Sequence, residues 1–329
     1  MAIVRRGDAT GYRQGPARGR FAPSPTGPLH FGSLVAALGS FLEARHRGGE
    51  WLVRIEDVDV PRAVPGAADA ILRALERCGL FWDGPVLYQS RRTERYQATL
   101  ERLLRAGRAY PCACSRRELV DCPRARDGSP IYPGHCRDGV RHPNRPCAIR
   151  LHTTDVMLAF QDAVQGDYRQ RLETEVGDFV IRRADGLFAY QLAVVVDDAD
   201  QAITHVVRGS DLLDSTPRQM YLQGLLEWPT PRYGHLPVAT DARGDKLSKQ
   251  THAPPLDERN PSPAIWAALR FLGQGPPAAL ADAPAAEIVC WALAHWRLER
   301  VPAVPARRWD IRSVESIRDG LTQTSEAID

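Results

Sequence analysis

The chain contains two lysines, and they lie within four residues of each other. Lys246 and Lys249 belong to the segment KLSKQ (residues 246–250), whereas every other basic residue among the 43 lysines and arginines is an arginine. A lysine ammonium is a compact charge on a flexible stem, which an arginine does not always replace. Two such groups in one loop can neutralise charge that develops on a pyrophosphate leaving group. The alternative interpretation is an ordinary solvated basic loop.

A second candidate phosphate-binding segment lies near the amino terminus. Residues 20–33, RFAPSPTGPLHFGS, connect a predicted short strand to a predicted apolar helix over residues 30–47. The unpaired backbone amides at the start of a helix favour a phosphate group. We expect His30 to hydrogen-bond phosphate oxygens and Gly32 to permit close approach of a nucleotide ring. The alternative is a strand–turn–helix connection in which the histidine only caps the helix.

Five of the seven cysteines are clustered near the middle of the chain. An odd number of cysteines in a long chain without a secretory signal argues against a disulfide framework. Cys112, Cys114 and Cys136 are placed so that their thiolates could hold zinc in a closed structural site. Cys122 and His135 are nearby candidates for a further ligand. Reduced thiols without a metal are the alternative.

The order of the predicted elements indicates an α/β fold with a parallel sheet, because strands alternate with helices. The first half combines strands at residues 20–22 and 51–55 with helices at residues 30–47, 66–79 and 93–106. In the second half, the continuous apolar run over residues 188–196 predicts a further parallel strand. The elements predicted beyond it are a strand at residues 206–208 and helices at residues 216–226, 263–272 and 285–298.

The composition is that of a globular protein. The 329 residues suffice for two or three domains, and 25% charged with 43% hydrophobic residues exclude a largely disordered chain. No apolar run approaches the ~18–20 residues that a membrane span needs, and residues 1–20 lack the apolar segment of a secretory signal. The net charge is only +3, so any basic surface for a polyanion must be local. We therefore expect a soluble cytoplasmic protein.

The motifs resemble those of the class I glutamyl-tRNA synthetases. Residues 20–33 are similar to the HIGH signature of that family, residues 54–59 (RIEDVD) to the strand end that follows it, and residues 246–250 to its KMSKS loop. The similarity covers about residues 19–250. Motifs in this order and spacing are highly specific.

Other features resemble the truncated paralogues of that family, the glutamyl-queuosine tRNA(Asp) synthetases. They are the segments 30–38 and 208–213 (RGSDLL), and a region after the lysine loop too short for a full anticodon-binding domain. The resemblance implies a ligase that activates L-glutamate with ATP and transfers it to the queuosine base in the anticodon of tRNA(Asp). It also implies magnesium with the ATP, tRNA(Asp) bearing queuosine as the partner, no contact with membranes, and a monomer.

The resemblance implies a Rossmann-like class I synthetase catalytic domain with a zinc-binding insertion and a short helical carboxyl-terminal region. The expected divisions are a basic extension (1–18), the first half of the catalytic domain (19–109), a zinc-binding and acceptor-binding insertion (110–187), the second half with the lysine loop (188–250), and the helical region (251–329).

Glutamate carries two carboxylates and one ammonium, so its site needs cations and an anion at separate points. Arginine suits a carboxylate because its planar fork binds both oxygens. Arg20 and Arg208, at the ends of two predicted strands, are expected to face the crevice at the carboxyl edge of the sheet. Glu56 is expected to pair with the substrate ammonium and Tyr190 to hydrogen-bond the ligand. The resemblance implies these positions and adds the run Phe21, Ala22, Pro23 and Ser24.

The resemblance assigns catalysis to His30, Lys246 and Lys249, and ATP binding to His30, Gly32 and Lys249. Three alternatives stay open: a short glutamyl-tRNA(Glu) synthetase, a small-molecule nucleotidyltransferase of the same superfamily, and a catalytically silent tRNA-binding paralogue. The presence of His30 and Lys249 argues against the silent paralogue.

For the metal, the resemblance implies one structural zinc held by Cys112, Cys114, Tyr132 and Cys136. Tyrosine is an unusual ligand because its phenol must first lose a proton with a pKa of ~10. From the residues alone, Cys122 or His135 would be preferred as the fourth ligand.

Overall fold

The computed structural model of the protein describes residues 5–6, 13, 15–247 and 254–309. Its strands are β1 (Arg5–Arg6), β2 (Arg18–Phe21), β3 (Glu50–Ile55), β4 (Leu87–Tyr88), β5 (Ala109–Cys112), β6 (Ala148–Leu151), β7 (Met157–Asp162), β8 (Gly166–Arg171), β9 (Val180–Arg182), β10 (His205–Gly209), β11 (Arg232–Leu236), β12 (Val238–Thr240) and β13 (Ala306–Arg308). Its α-helices are α1 (Phe31–His46), α2 (Ala67–Arg77), α3 (Thr93–Arg105), α4 (Leu172–Glu175), α5 (Tyr190–Asp200), α6 (Thr216–Leu225), α7 (Ser262–Phe271) and α8 (Ala285–His295).

Two neighbouring groups of parallel strands carry the site. β3 pairs in parallel with both β2 and β4, and β10 pairs in parallel with β11. The two parts meet at β2 and β10, because the amide of Thr204 donates to the carbonyl oxygen of Arg18 at 2.9 Å. The order β4-β3-β2-β10-β11 therefore reverses its winding direction between β2 and β10. In such sheets ligands bind at that point, outside the carboxyl ends of the strands. The predicted α/β fold with a parallel sheet is confirmed.

Helix α1 connects β2 to β3 and packs between the sheet and helix α7. Leu34, Leu38 and Leu42 are fully buried along it, and burial of each such side chain contributes about 1.5–3 kcal/mol. A Cβ atom at Gly39 would lie 2.5 Å from Leu236 Cδ1, so this glycine lets α1 approach β11 closely. The start of α1 is thereby held against the carboxyl edge of the sheet.

The predicted strand over residues 188–196 is wrong, because the structure has helix α5 there. Every residue from Leu192 to Asp198 is buried, since α5 packs against α3, α6 and β9. A helix that is covered on all sides carries no polar face, and its apolar run cannot be told from a buried strand by periodicity. The remaining predicted helices are confirmed, with ends that shift by at most three residues.

Antiparallel strands form the segment between α3 and α5. β6 pairs with β5 and β9, and β7 forms a hairpin with β8. The hairpin was not predicted, because β8 reads GDYRQR and lacks an apolar alternation. The domain divisions expected from the sequence stay predictions.

The carboxyl-terminal helices α7 and α8 share the hydrophobic core of α1. The indole of Trp296, which follows α8, donates to the buried carboxylate of Glu43 on α1 at 2.9 Å. This region is thus packed onto the sheet domain. Within the described residues, no helix combines the length and the apolar character that crossing a bilayer requires.

Candidate active site and metal centre

A solvent-open cleft of about 930 Å³ lies at the carboxyl ends of β2 and β10. Residues from both halves of the chain line it. The predicted site residues among them are Arg20, Phe21, Ala22, His30, Gly32, Glu56, Tyr190, Arg208 and Lys246. Pro23 and Ser24 follow β2 without lining the cleft, and Lys249 lies outside the described residues. The roles predicted for these side chains stay predictions, but nine of them share one cleft.

Arg20 reaches the cleft from the end of β2 and is 3% exposed. Its Nε donates to Asp198 Oδ1 at 3.3 Å, and its Nη1 and Nη2 have no acceptor among the described residues. Asp198 also lies 2.8 Å from Nη1 of the buried Arg54. Burial alone would raise the pKa of Asp198, but the guanidinium groups of Arg20 and Arg54 hold it below its ordinary value. An ionised Asp198 fixes Arg20 with its terminal nitrogens available to an anion.

Glu56 faces the same cleft just after β3. Arg54 Nη2 donates to Glu56 Oε1 at 3.4 Å, and the amide of Glu56 donates to the carbonyl oxygen of Pro23 at 2.9 Å. Burial raises the pKa of Glu56, while the charges of Arg54 and Arg20 oppose that rise. A cation entering the cleft would favour the ionised carboxylate. Glu56 is therefore suited to an ammonium group.

Arg208 enters the cleft from β10 and is 5% exposed. Its Nη1 donates to Tyr190 Oη at 3.3 Å, and its Nη2 donates to Thr216 Oγ1 at 2.8 Å and to the carbonyl oxygen of Leu212 at 3.3 Å. Its Nε donates to His235 Nε2 at 3.0 Å. Within the described part of the chain, these contacts leave one N–H of Nη1 for a ligand. Burial raises the pKa of Tyr190, so its hydroxyl stays protonated.

His30 caps helix α1 and lines the cleft at the same time. Its Nδ1 accepts from the amide of Ser33 at 3.3 Å, while Ser33 Oγ accepts from the amide of His30 at 3.4 Å. Because Nδ1 is an acceptor, the neutral ring carries its proton on Nε2. The capping interpretation and the phosphate-binding interpretation are therefore compatible.

Gly32 keeps the lysine loop close to the start of α1. A Cβ atom at this position would lie 2.9 Å from the carbonyl oxygen of Leu247, which is closer than backbone atoms tolerate. The sequence predicted room for a nucleotide ring here, whereas the structure places the loop backbone beside this glycine. The two candidate phosphate-binding segments thus meet at Gly32 and Leu247, although more than 200 residues separate them.

Lys246 lies in the cleft with its Nζ 2.5 Å from Asp211 Oδ2. Asp211 was not predicted, although it belongs to the segment 208–213 that carried part of the resemblance. His235 and Asp162 behind Arg208 were not predicted either. Their positions follow from the pairing of distant strands, which leaves no local signal in the sequence.

The predicted metal centre lies in the antiparallel segment. The Sγ atoms of Cys112, Cys114 and Cys136 all lie within 4.8 Å of one another. Tyr132 Oη is 3.3 Å from Cys112 Sγ and 3.4 Å from Cys114 Sγ. Among the described His, Cys, Asp and Glu residues, these three cysteines are the group that converges as metal ligands. Three convergent thiols are a donor set that could bind a metal, and soft thiolates suit zinc.

The surroundings of the thiols are charged and partly buried. Burial raises the pKa of Cys114 to about 11. Burial would also raise the pKa of Cys136, but hydrogen bonds, first from the amide of Arg141 and then from Tyr132, lower it to about 7. Arg150 places its Nε 3.2 Å from Cys112 Sγ and its guanidinium 3.9 Å from the centre of the Tyr132 ring. Arg150 thus places a positive charge beside the donor set.

Comparisons with known proteins identify the family to which this chain belongs. The family model described as tRNA synthetases class I (E and Q), catalytic domain, matches residues 16–260. Proteins named glutamyl-Q tRNA(Asp) synthetase are 58% identical over 287 residues in Thiobacillus denitrificans and 59% identical over 289 residues in Dechloromonas aromatica. The alignments cover 87% of this chain and 95% and 96% of those relatives. The chain belongs to the glutamyl-Q tRNA(Asp) synthetase family.

Solved structures support the same assignment. The glutamate-tRNA synthetase of Elizabethkingia anophelis is 26% identical, with a TM-score of 0.77, and the match covers 94% of this chain and 71% of that one. A glutamate tRNA ligase of Elizabethkingia meningosepticum, solved with its amino acid, is 25% identical, with a TM-score of 0.76 and coverage of 94% and 70%. Like these two proteins, this chain has the fold of a class I aminoacyl-tRNA synthetase. The family predicted from the motifs is confirmed.

Proposed function

We propose that this protein activates L-glutamate with ATP and transfers it to the queuosine base in the anticodon of tRNA(Asp). One observation carries the proposal: Arg20 and Arg208, from the neighbouring strands β2 and β10, share a cleft with the start of α1 and with Lys246. In this proposal the two arginines supply the cations for an acidic amino acid, and the start of α1 and Lys246 supply the donors for a phosphate chain. The names of the relatives supply the acceptor.

Glutamate binding uses the groups that the protein leaves available. The Nη1 and Nη2 groups of Arg20 and the remaining N–H of Arg208 Nη1 donate to the two carboxylates. Glu56 accepts from the substrate ammonium, and Tyr190 lies beside Arg208 to hydrogen-bond the ligand. Because these charges are partly or fully buried, their attraction is stronger than in water.

In the first step, an oxygen of the glutamate α-carboxylate attacks the α-phosphorus of ATP. The bond from that phosphorus to the bridging oxygen breaks, and its electron pair leaves with pyrophosphate. His30 and the amides at the start of α1 donate to the phosphate oxygens, while Lys246 and Lys249 balance the charge of the leaving group. ATP brings magnesium as its counter-ion. The product is glutamyl-adenylate.

In the second step, a hydroxyl of the queuosine cyclopentenediol attacks the carbonyl carbon of the adenylate. The new ester bond forms as AMP departs with the electron pair of the mixed anhydride, and the hydroxyl proton passes to solvent. The mixed anhydride is already activated, so this step needs no general base from the protein.

The metal centre has a structural role in this proposal. Cys112, Cys114, Tyr132 and Cys136 hold one zinc ion, and Arg150 offsets the negative charge of the ionised ligands. When bound, zinc cross-links the loops of the antiparallel segment and favours the ionised forms of the thiols and the phenol. The cleft residues carry the chemistry at a separate site.

The acceptor decides between this proposal and its nearest rival. Labelled glutamate is offered with ATP and three purified RNAs: tRNA(Asp) with queuosine, tRNA(Asp) without it, and tRNA(Glu). The proposal expects labelling of queuosine-containing tRNA(Asp) alone. Labelling of tRNA(Glu) would instead identify a short glutamyl-tRNA synthetase, and equal labelling of both forms of tRNA(Asp) would refute the modified base as the acceptor.

A further inference from the structure

Behind the amino-acid pocket, three buried side chains form a continuous hydrogen-bonded chain, which we name the Asp162–His235–Arg208 chain. Asp162 is at the end of β7, His235 is on β11 and Arg208 is on β10. Asp162 Oδ2 lies 2.5 Å from His235 Nδ1, and Arg208 Nε lies 3.0 Å from His235 Nε2. The exposed fractions of Asp162, His235 and Arg208 are 3%, 0% and 5%.

The hydrogen-bond partners of His235 fix its tautomer. Asp162 Oδ1 accepts the amides of Val164, Gln165 and His235 at 2.9–3.0 Å. Burial alone would raise the pKa of Asp162, but its bond from His235 and these amides lower it, so the group is an ionised acceptor. His235 Nδ1 must therefore donate, and Nε2 must accept because Arg208 Nε only donates. Burial and the neighbouring Arg208 lower the pKa of His235, which keeps the ring neutral.

We propose that His235, held by Asp162, is a positioning residue that sets the orientation of Arg208 and thereby the affinity for the substrate carboxylate. This inference rests on the proposed role of Arg208 in glutamate binding. With Nε and Nη2 committed to His235, Thr216 and Leu212, the guanidinium plane has one orientation, and Nη1 faces the cleft. Without an acceptor for Nε, the plane can rotate and the carboxylate contact weakens. Neither Asp162 nor His235 lines the amino-acid cleft, so both act through Arg208.

Two substitutions separate positioning from folding. His235→Asn places an amide where Nδ1 was, which keeps a donor for Asp162 but leaves Arg208 Nε without an acceptor. His235→Gln places an amide oxygen near the Nε2 position, which keeps the acceptor for Arg208 but leaves Asp162 Oδ2 without its donor. His205→Asn, at the opposite end of β10, is the matched control. The steady-state measurement is glutamate-dependent ATP–pyrophosphate exchange, accompanied by thermal unfolding.

The proposal predicts that the KM for glutamate depends on whether Arg208 Nε keeps an acceptor, and not on the thermal stability of the variant. His235→Asn raises the KM for glutamate by about tenfold or more, because the donor to a buried contact loses its partner, while the KM for ATP changes by about twofold or less. His235→Gln keeps the KM for glutamate within about threefold, because Arg208 Nε retains an acceptor. A purely structural role predicts that both variants raise the KM for glutamate together with their loss of thermal stability. An equal rise in both variants, or an unchanged KM for glutamate in folded His235→Asn, would overturn the proposal.

The role of Arg208 is tested separately with Arg208→Gln. A normal KM for glutamate in this variant would show that Arg208 does not bind glutamate, which is the premise of the positioning role. A large rise in Arg208→Gln together with a wild-type KM in His235→Asn would instead overturn the positioning role alone.

A spectroscopic test does not depend on activity. With ¹⁵N-labelled histidine, the His235 resonances are identified by their loss in His235→Gln. The proposal expects the neutral tautomer with the proton on Nδ1, whereas a protonated Nε2 would contradict it.

Discussion

The ammonium of Lys246 lies 2.5 Å from the carboxylate of Asp211. This ion pair joins the lysine loop to the 3₁₀ segment Ser210–Ser215, which directly follows β10 and Arg208. This contact therefore links the part of the cleft that we assign to the amino acid with the part that we assign to the phosphates. Because both side chains are more than a third exposed, the pair is expected to stabilise the loop only modestly.

Asp211→Asn is expected to slow glutamate-dependent ATP–pyrophosphate exchange by about threefold, since an exposed ion pair contributes ~0.2–1 kcal/mol. The measurement is the initial rate of this exchange reaction at saturating concentrations of glutamate and ATP. Asp214→Asn is the matched control, because Asp214 belongs to the same segment but bonds Tyr168. Equal rates for Asp211→Asn and the wild-type protein would show that the pair has no role in the reaction.

Gly32→Ala is expected to raise the KM for ATP by about tenfold, because an added methyl meets the backbone of Leu247 at 2.9 Å and displaces the lysine loop. The KM for glutamate should change less. Gly234→Ala provides the comparison, since a Cβ atom there meets its neighbours at 3.6–3.8 Å. A normal KM for ATP in Gly32→Ala would contradict the approach of the loop to α1.

Lys249→Ala is expected to reduce the exchange rate at least about tenfold, because it removes a charge assigned to the pyrophosphate leaving group. Arg243→Ala tests whether any basic residue of the same loop region has this effect. The assigned role of Lys249 fails if the two variants behave alike.

One zinc ion per chain is expected by elemental analysis, and its removal by a chelator should lower the unfolding temperature. Cys136→Ala should lose the metal because it removes one of three convergent thiols. Cys122→Ala should retain it, since Cys122 lies outside that group. Retention in Cys136→Ala with loss in Cys122→Ala would refute the ligand set.

The free energy of unfolding is expected to fall as the pH drops from 6.5 to about 4, partly through His205. Burial, with the nearby charge of Arg47, lowers the pKa of His205 to about 4, from 6.5 in the unfolded chain. Between these values the unfolded chain binds more protons, so acid favours unfolding. Urea titrations over this range should show a smaller slope in His205→Asn. An identical slope would contradict the contribution of His205.

Local signals in the sequence predicted much of the fold. Helix α1 and strand β3 each connect directly to breaker residues, so pattern and position agreed. Helix α5 was mistaken for a strand because tertiary packing covers every side of it. The hairpin of β7 and β8 was missed because polar residues dominate its second strand.

The cleft was predictable only where motifs mark it. His30, Gly32 and Lys246 stand in recognisable segments, whereas Asp162 and His235 meet across 73 residues through the packing of β7 beside β11. No spacing in the sequence reports that contact. In the same way, the residues alone favoured Cys122 or His135 over Tyr132 as the fourth ligand, because the position of Tyr132 beside the thiols depends on how the loops fold.

We propose that two distant segments of the chain form one site for a triphosphate with an acidic amino acid beside it. A crystal structure with L-glutamate and a non-hydrolysable ATP analogue tests it most directly. We expect the glutamate carboxylates at Arg20 and Arg208, and the phosphates between His30 and the lysine loop. Glutamate and nucleotide bound away from both segments would contradict it.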